Sequence, residues 1–431
     1  MEMLIVNGGR RLSGRVQVSG SKNAALPVMA ASLASDGLVV LNNIPALVDV
    51  VTMTRLLRSL GVEVSGNGNR VEIDARKASG VVADYELVRR MRAGICVLGP
   101  LLARFGSARV SLPGGCNIGH RPIDLHLRGI SALGADIRIS GGYVVAEAGV
   151  LRGAEIHLAG PHGSSVTATC NVMTAAALAA GRTVIHSAAM EPEVASLAAF
   201  LNSLGAHISG AGTSTIEILG VERLTGGSCT IQPDRIEAAT LAIAAAITRS
   251  AIEIDQAPVE QMTSVLGKLG EIGADVRIMH GRLTVNADRE LRPADITAAP
   301  YPGVPTDTQA QFMALLATIP GTSVITDSVF PDRFMHASEL TRMGANLRRT
   351  GDSTVAQGVL SLCAAPLMAC DLRASAALLL AAAAADGESH IRRIYHLDRG
   401  YVRLEDKLNQ LGASIMRCDD TKTTAVPAAL K

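Results

Sequence analysis

"LRSLGVEV", residues 57–64, returns five more times along the chain in altered form: "ISALGADI" (130–137), "LNSLGAHI" (201–208), "LGEIGADV" (269–276), "LTRMGANL" (340–347) and "LNQLGASI" (408–415). The glycines of these phrases, Gly61, Gly134, Gly205, Gly273, Gly344 and Gly412, stand 73, 71, 68, 71 and 68 residues apart. One structural unit of about 70 residues therefore occurs six times. In the first copy Val50, Met53, Leu57 and Leu60 form an apolar helical stripe, with Asp49, Thr52, Arg55 and Ser59 on the other faces. The glycine ends that helix, because it alone enters the left-handed conformation without steric cost.

Around each phrase the pattern repeats. Downstream, "VEVSGNGNRVEI" (62–73) and "DIRISGGYVVAE" (136–147) alternate as hairpin strands do. Upstream lies a second helix, apolar all round, as in "AATLAIAAAIT" (238–248) and "ASAALLLAAAAA" (374–385). A helix without a polar face belongs in a core. Short strands such as "GLVVLNNIP" (37–45) and "GTSVITDSVF" (321–330) follow it, so the unit reads strand, buried helix, strand, amphipathic helix, hairpin. Six units can close as one ring or as two lobes of three. Size favours two lobes with a cleft between them, since single cores rarely grow past about 250 to 300 residues.

Composition limits the partners. The 431 residues are 48% hydrophobic and carry a net charge of +1, with 2% aromatics and no tryptophan. Such a chain offers neither the basic field nor the stacking platforms of a nucleic-acid binder. Its most apolar run, 374–385, is shorter than the roughly 20 residues a membrane span needs. Seven cysteines, at 96, 116, 170, 229, 363, 370 and 418, include no CxxC pair, which argues against zinc and against a disulfide framework. The expectation is a cytoplasmic protein with no metal, no cofactor, no membrane or nucleic-acid contact and no obligate protein partner.

The chemistry is expected where the buried helices begin. Counting back from their ends, the six starts carry Lys22, Arg92, Thr167, Arg235, Asp307 and Arg373. Helix N-termini already favour anions, so four cations at these positions do nothing for helix stability. They suit helix starts that converge on a polyanionic ligand, with Arg121 and Arg399 as further donors; solvated caps or salt bridges between lobes are the plainer alternative. Asp307, the one acid in the series, reads either as a helix cap or as a carboxylate kept ionised among cations and able to accept a proton. A second feature is "PGGCNIGHRP" (113–122), where a thiol, Cys116, sits in a glycine-rich loop beside His120 and Arg121. Cationic neighbours lower a thiol's pKa, so such a cysteine can act as an acid or a thiolate near neutral pH.

Several long motifs resemble the UDP-N-acetylglucosamine enolpyruvyl transferase family, whose reaction is the first committed step of peptidoglycan synthesis. They are "GSKNAALP" (20–27), "MRAGICVLGPLLARFG" (91–106), "SLPGGCNIGHRPIDLH" (111–126), "PDRIEAAT" (233–240), "PTDTQAQF" (305–312), "RFMHASELTRMGA" (333–345), "DLRASAAL" (371–378) and "IYHLDRGYVRLEDKL" (394–408). The resemblance covers all but the tail after about residue 419. It implies a two-lobed, inside-out α/β barrel of six βαβαββ units, three per lobe. One lobe is formed by residues 22–231 and the other by 1–21 with 232–431; the composition of about 419–431, polar and then rich in small residues, is separately that of a frayed, flexible tail. The resemblance implies transfer of the enolpyruvyl group of phosphoenolpyruvate to the 3-hydroxyl of UDP-N-acetylglucosamine. Lys22 and Asn23 then match phosphoenolpyruvate contacts, with Arg121 and Arg399 at its anionic groups. Arg92, the stretch Arg121, Pro122, Ile123, Asp124 and Leu125, then Ser165, Val166, Asp307, Val329 and Arg373 match or adjoin positions lining the substrates. Cys116 matches the reactive cysteine, alkylated by fosfomycin. The resemblance makes Cys116, Asp307, Lys22 and Arg399 the catalytic set.

One segment departs from the family pattern. Within "AGPHGSSVTATCN" (159–171), Gly163 stands where many members carry a lysine at the nucleotide's diphosphate, with His162 before it. This leaves other acceptors open, such as UMP or shikimate 3-phosphate, although the shikimate enzyme lacks the cysteine loop. For a noncatalytic anion-binding or RNA-end-processing protein of similar repeats, the near-zero net charge and the scarcity of aromatics oppose RNA, and the presence of Lys22, Cys116, Asp307 and Arg399 opposes a noncatalytic relative.

Overall fold

The computed structural model describes residues 2–114, 122–279 and 281–420. All six repeat glycines take positive φ, between 84° and 111°; the first five separate an amphipathic helix from a hairpin, and Gly412 separates one from the single strand Ile415–Asp419. The fold is mixed α/β and inside out: among the described residues apolar helices fill the interior, and six four-stranded sheets, with one two-stranded ribbon, form the outside. Each four-stranded sheet joins a parallel pair to an antiparallel pair, which is a hairpin in five of them; in the sixth, Glu2–Asn7 takes the place of the hairpin strand beside Ile415–Asp419. In the first, Gly227–Thr230 runs parallel to Leu38–Asn42, which pairs with Arg70–Asp74, which pairs with Glu63–Asn67.

Buried apolar residues form two cores. One runs from Ala24 to Ile231; the other combines Leu4 to Val18 with Ala238 to Ile415. In the second core the helices Arg235–Ile247, Thr306–Leu316 and Leu372–Ala384 pack on one another. The chain passes between the cores twice. Strand Ser13–Gln17 pairs with Ala251–Asp255 in the second core, and the next helix, Lys22–Ala31, lies in the first. Strand Gly227–Thr230 belongs to the first core, and the next helix, Arg235–Ile247, lies in the second. The two crossings hold each other: Ser21 N donates to Gln232 O at 2.8 Å, and Asp234 N to Ser19 O at 2.8 Å. Both then open directly into helices whose first residue is a cation, Lys22 or Arg235.

Two local expectations need correction. Asp49 and Thr52, assigned to the polar faces of the Val48–Ser59 helix, are buried. That helix points its first turn at the second core, where Asp49 meets Arg399, with Lys22 of its own core on the other side. The buried helix of the second unit is broken into a 3-10 turn, Arg92–Val97, and an α-helix, Leu98–Phe105. Asn171 is the cause: its Oδ1 accepts from Gly99 N at 2.7 Å, and its Nδ2 donates to Ile95 O at 3.1 Å. A carboxamide between two groups four residues apart replaces the ordinary helical bond.

Candidate active site at the junction of the two cores

Lys22 opens its helix behind the cap Ser21, whose hydroxyl accepts from Ala24 N. Its ammonium is buried and lies 3.6 Å from Asp49 Oδ2. Asp49 in turn accepts from Arg399 Nε at 2.9 Å, so one carboxylate from the first core holds a lysine and an arginine from the two sides. Burial pulls the Lys22 ammonium's pKa down; Asp49 opposes this, Arg373 reinforces it, and the net position is below the usual lysine value.

Asp307 lies in the first turn of its helix and does not cap it. Its Oδ1 accepts from Arg333 at 3.0 Å, and its Oδ2 from Arg373 at 2.9 Å and from Asn23 Nδ2 at 3.3 Å. Burial alone would raise this carboxyl's pKa, but Arg373 and then Arg333 hold it well below the carboxylate range. The carboxylate stays ionised, and as long as both guanidiniums hold it, it is a weak base. Arg373 is itself placed by Asp371, which caps the Leu372–Ala384 helix through the amides of Arg373 and Ala374. Its guanidinium lies over the Tyr401 ring at 5.2 Å. Arg333 also donates to Thr306 Oγ1 at 3.2 Å.

Lys22, Asn23, Asp307, Arg373 and Arg399 are thus brought together where the cores meet. Arg235, another helix-start cation, is used differently. It forms a buried two-pronged ion pair with Glu193 of the first core, at 3.0 and 3.2 Å, which matches the plainer salt-bridge alternative. Arg92 donates to Pro122 O at 3.1 Å; Ile123, Asp124 and Leu125 lead into the Asp124–Ala132 helix. Ser165 caps the helix that Val166 begins, accepting from Ala168 N. Val329 N donates to Asp327, whose other oxygen accepts from Thr306 Oγ1, linking that segment to Arg333 and Asp307. Gly163 has φ 92°, so a lysine there would be strained, and a Cβ at this position would lie 3.4 Å from Pro300 of the other core. His162 is exposed. Cys116, His120 and Arg121 lie outside the described residues.

The sequence reading missed Asp49 and Arg333. An acid in a first turn is the usual partner of a helix dipole, so nothing in the spacing marked Asp49 as buried. Arg333 follows a strand, not a helix start, and was visible only as the first residue of a family-like motif. Among the described residues no group of three or more His, Cys, Asp or Glu side chains is placed to hold a metal ion, and no helix is long and apolar enough to cross a membrane. The six described cysteines are free thiols.

Residues 6–408 match the EPSP synthase (3-phosphoshikimate 1-carboxyvinyltransferase) family. A protein of Geobacter metallireducens named UDP-N-acetylglucosamine 1-carboxyvinyltransferase is 50% identical over 417 residues, covering 97% of this chain and 99% of that one. One of the same name from Coxiella burnetii is 50% identical over 436 residues, covering 100% and 99%. Among solved structures, the enolpyruvyl transferase NikO from Streptomyces tendae superposes with a TM-score of 0.87 at 26% identity, covering 96% and 98%. EPSP synthase from Acinetobacter baumannii, at 20% identity and TM-score 0.74 over 97% and 100% of the chains, shares the fold. The chain belongs to the EPSP synthase family of carboxyvinyltransferases and, within it, to the UDP-N-acetylglucosamine 1-carboxyvinyltransferases.

Proposed function

We propose that the protein transfers the enolpyruvyl group of phosphoenolpyruvate to the 3-hydroxyl of UDP-N-acetylglucosamine, releasing phosphate, in the cytoplasm. One observation carries the reading. Four buried or half-buried cations meet two carboxylates at the junction of two cores: Arg333 and Arg373 hold Asp307, while Lys22 and Arg399 hold Asp49. Phosphoenolpyruvate carries a phosphate and a carboxylate, and a water-poor set of cations is what stabilises both.

In this reading Cys116 donates a proton to the methylene carbon, making the adjacent carbon oxocarbenium-like. The sugar oxygen bonds to that carbon and its proton passes to Asp307. The methyl group then returns a proton to the Cys116 thiolate while the carbon–oxygen bond to phosphate breaks with its electron pair on the phosphate oxygen, which carries away the proton held by Asp307, leaving the enol ether and inorganic phosphate. The substrate's anionic groups share Arg333 and Arg373 with Asp307, and the charge they neutralise restores the carboxylate's basicity. Lys22, Arg399 and Arg121 hold phosphoenolpyruvate, while Arg92, Pro122 to Leu125, Ser165, Val166 and Val329 line the nucleotide sugar. Residues 22–231 and 1–21 with 232–431 act as lobes that close on the substrates.

The test is phosphate release from phosphoenolpyruvate with UDP-N-acetylglucosamine, UMP or shikimate 3-phosphate offered separately, with and without fosfomycin. Release with the nucleotide sugar alone, abolished by fosfomycin, is expected. Release only with another acceptor would overturn the acceptor assignment.

A further inference from the structure

His126 and Asn171 are both buried and belong to none of the roles assigned above. Asn171 inserts its carboxamide between Ile95 O and Gly99 N, and these two backbone partners of opposite polarity fix which end is oxygen and which is nitrogen. The second Nδ2 proton points at His126 Nδ1, 3.0 Å away. Since Asn171 is the donor there, Nδ1 must be an acceptor and bears no proton. The ring is then the neutral tautomer with its proton on Nε2, which lies 3.1 Å from Thr167 Oγ1. Thr167 accepts that proton's hydrogen bond and keeps its own hydroxyl proton for another acceptor.

The chain positions joined in this way are notable. Asn171 grips the 3-10 turn that begins with Arg92; His126 follows the Pro122 to Leu125 segment; Thr167 adjoins Ser165 and Val166. Three of the four stretches proposed to line the nucleotide sugar, all but Val329, meet at one buried pair of side chains.

We propose that Asn171 and His126 are positioning residues for the nucleotide-sugar subsite, and that Thr167, oriented by His126, donates its hydroxyl hydrogen bond to an acceptor oxygen of the bound nucleotide sugar. The ligand in this proposal rests on the function proposed above; the direction of the hydrogen bonds does not. Asn171 acts twice, since it breaks the Arg92 helix at the register that sets Arg92 against Pro122 and also selects the histidine tautomer.

Two measurements test it. In the substrate-free wild-type protein at neutral pH, nitrogen-15 NMR of the His126 ring, assigned by its loss in His126→Gln, should report a protonated Nε2 and a bare Nδ1. A proton on Nδ1 overturns the relay. In steady-state kinetics, Thr167→Val should raise KM for UDP-N-acetylglucosamine about tenfold, the effect of one lost hydrogen bond to a charged or strongly polar partner. KM for phosphoenolpyruvate should stay within about twofold, and Thr167→Ser should restore the wild-type value. His126→Gln, which cannot present the same Nε2 proton to Thr167, should raise the same KM and add little when Thr167 is already valine, whereas Asn171→Asp, which also loosens the Arg92 turn, should add to it. An unchanged nucleotide-sugar KM in Thr167→Val overturns the donor role. Failure of the wild-type protein to turn over UDP-N-acetylglucosamine would sink the function reading and this ligand together, while the NMR result still decides the tautomer.

Discussion

At the scale of single residues, the site is a balance of opposite charges that substitution should tip in computable directions. Asp307→Asn keeps the shape and the hydrogen-bond length but removes the proton acceptor; kcat should fall by about a hundredfold or more, as for loss of a general base, with the midpoint of thermal unfolding as control for folding. Asp49→Asn acts on pH dependence. Asp49 raises the Lys22 pKa, so its loss lowers it; activity that needs the charged ammonium is lost as pH rises, and the alkaline limb of kcat/KM should move to lower pH. An unmoved limb would remove Lys22 from the anion site. His336, buried behind Arg333 with no hydrogen-bond partner on either ring nitrogen among the described residues, has its pKa pushed down to about 4, first by burial and then by Arg333, against the pull of Asp371. The unfolded chain takes up this proton below about pH 6.5 and the folded one only near pH 4, so stability should decline as pH falls across that window, by on the order of 3 kcal/mol. Denaturant titrations of His336→Leu should show a flatter pH profile over the same range. Lys22, Asn23, Asp307, Arg373 and Arg399 were legible in the sequence, by their place at helix starts or by motif. Asp49, Arg333 and His336 were not, because burial of a polar group depends on which element faces it, and no local pattern records that.

At the scale of elements, the repeat made six units and their helix stops readable, since a glycine with positive φ has few substitutes. The broken second helix was not readable: its cause, Asn171, lies more than 70 residues downstream and packs against it only in the folded chain. The partner of Arg235 was likewise hidden, for Glu193 sits in the first turn of another helix, where an acid needs no further explanation. That pair joins the Pro192–Ser203 and Arg235–Ile247 helices across the two cores. Removing one member of a buried ion pair strands the other, so Glu193→Gln should cost about 3 to 5 kcal/mol in chemical denaturation, while the double change Glu193→Leu with Arg235→Met should recover most of it. A single substitution without cost would mean that the helix junction relaxes to let water reach Arg235.

At the scale of the molecule, the exchange of strands makes the two halves unequal. A fragment of residues 22–231 keeps all strands of its three sheets, whereas 232–431 lacks Glu2–Asn7, the strand between Glu388–Arg392 and Ile415–Asp419, and also Ser13–Gln17. The first fragment should unfold cooperatively by circular dichroism; the second should do so only when a peptide of residues 1–21 is supplied. Cooperative unfolding of the second fragment alone would show that the N-terminal strands are dispensable. The same arrangement has a consequence in time. Residues 2–7 leave the ribosome long before the two strands that flank them, both of which lie beyond residue 387. At roughly 5 to 20 residues per second, that strand, with Met3, Leu4, Ile5 and Val6 destined for the interior, waits about 20 to 80 seconds for its neighbours. Through that interval the nascent chain carries an unpaired apolar edge, so the yield of active protein depends on what shields that segment until the last unit is made.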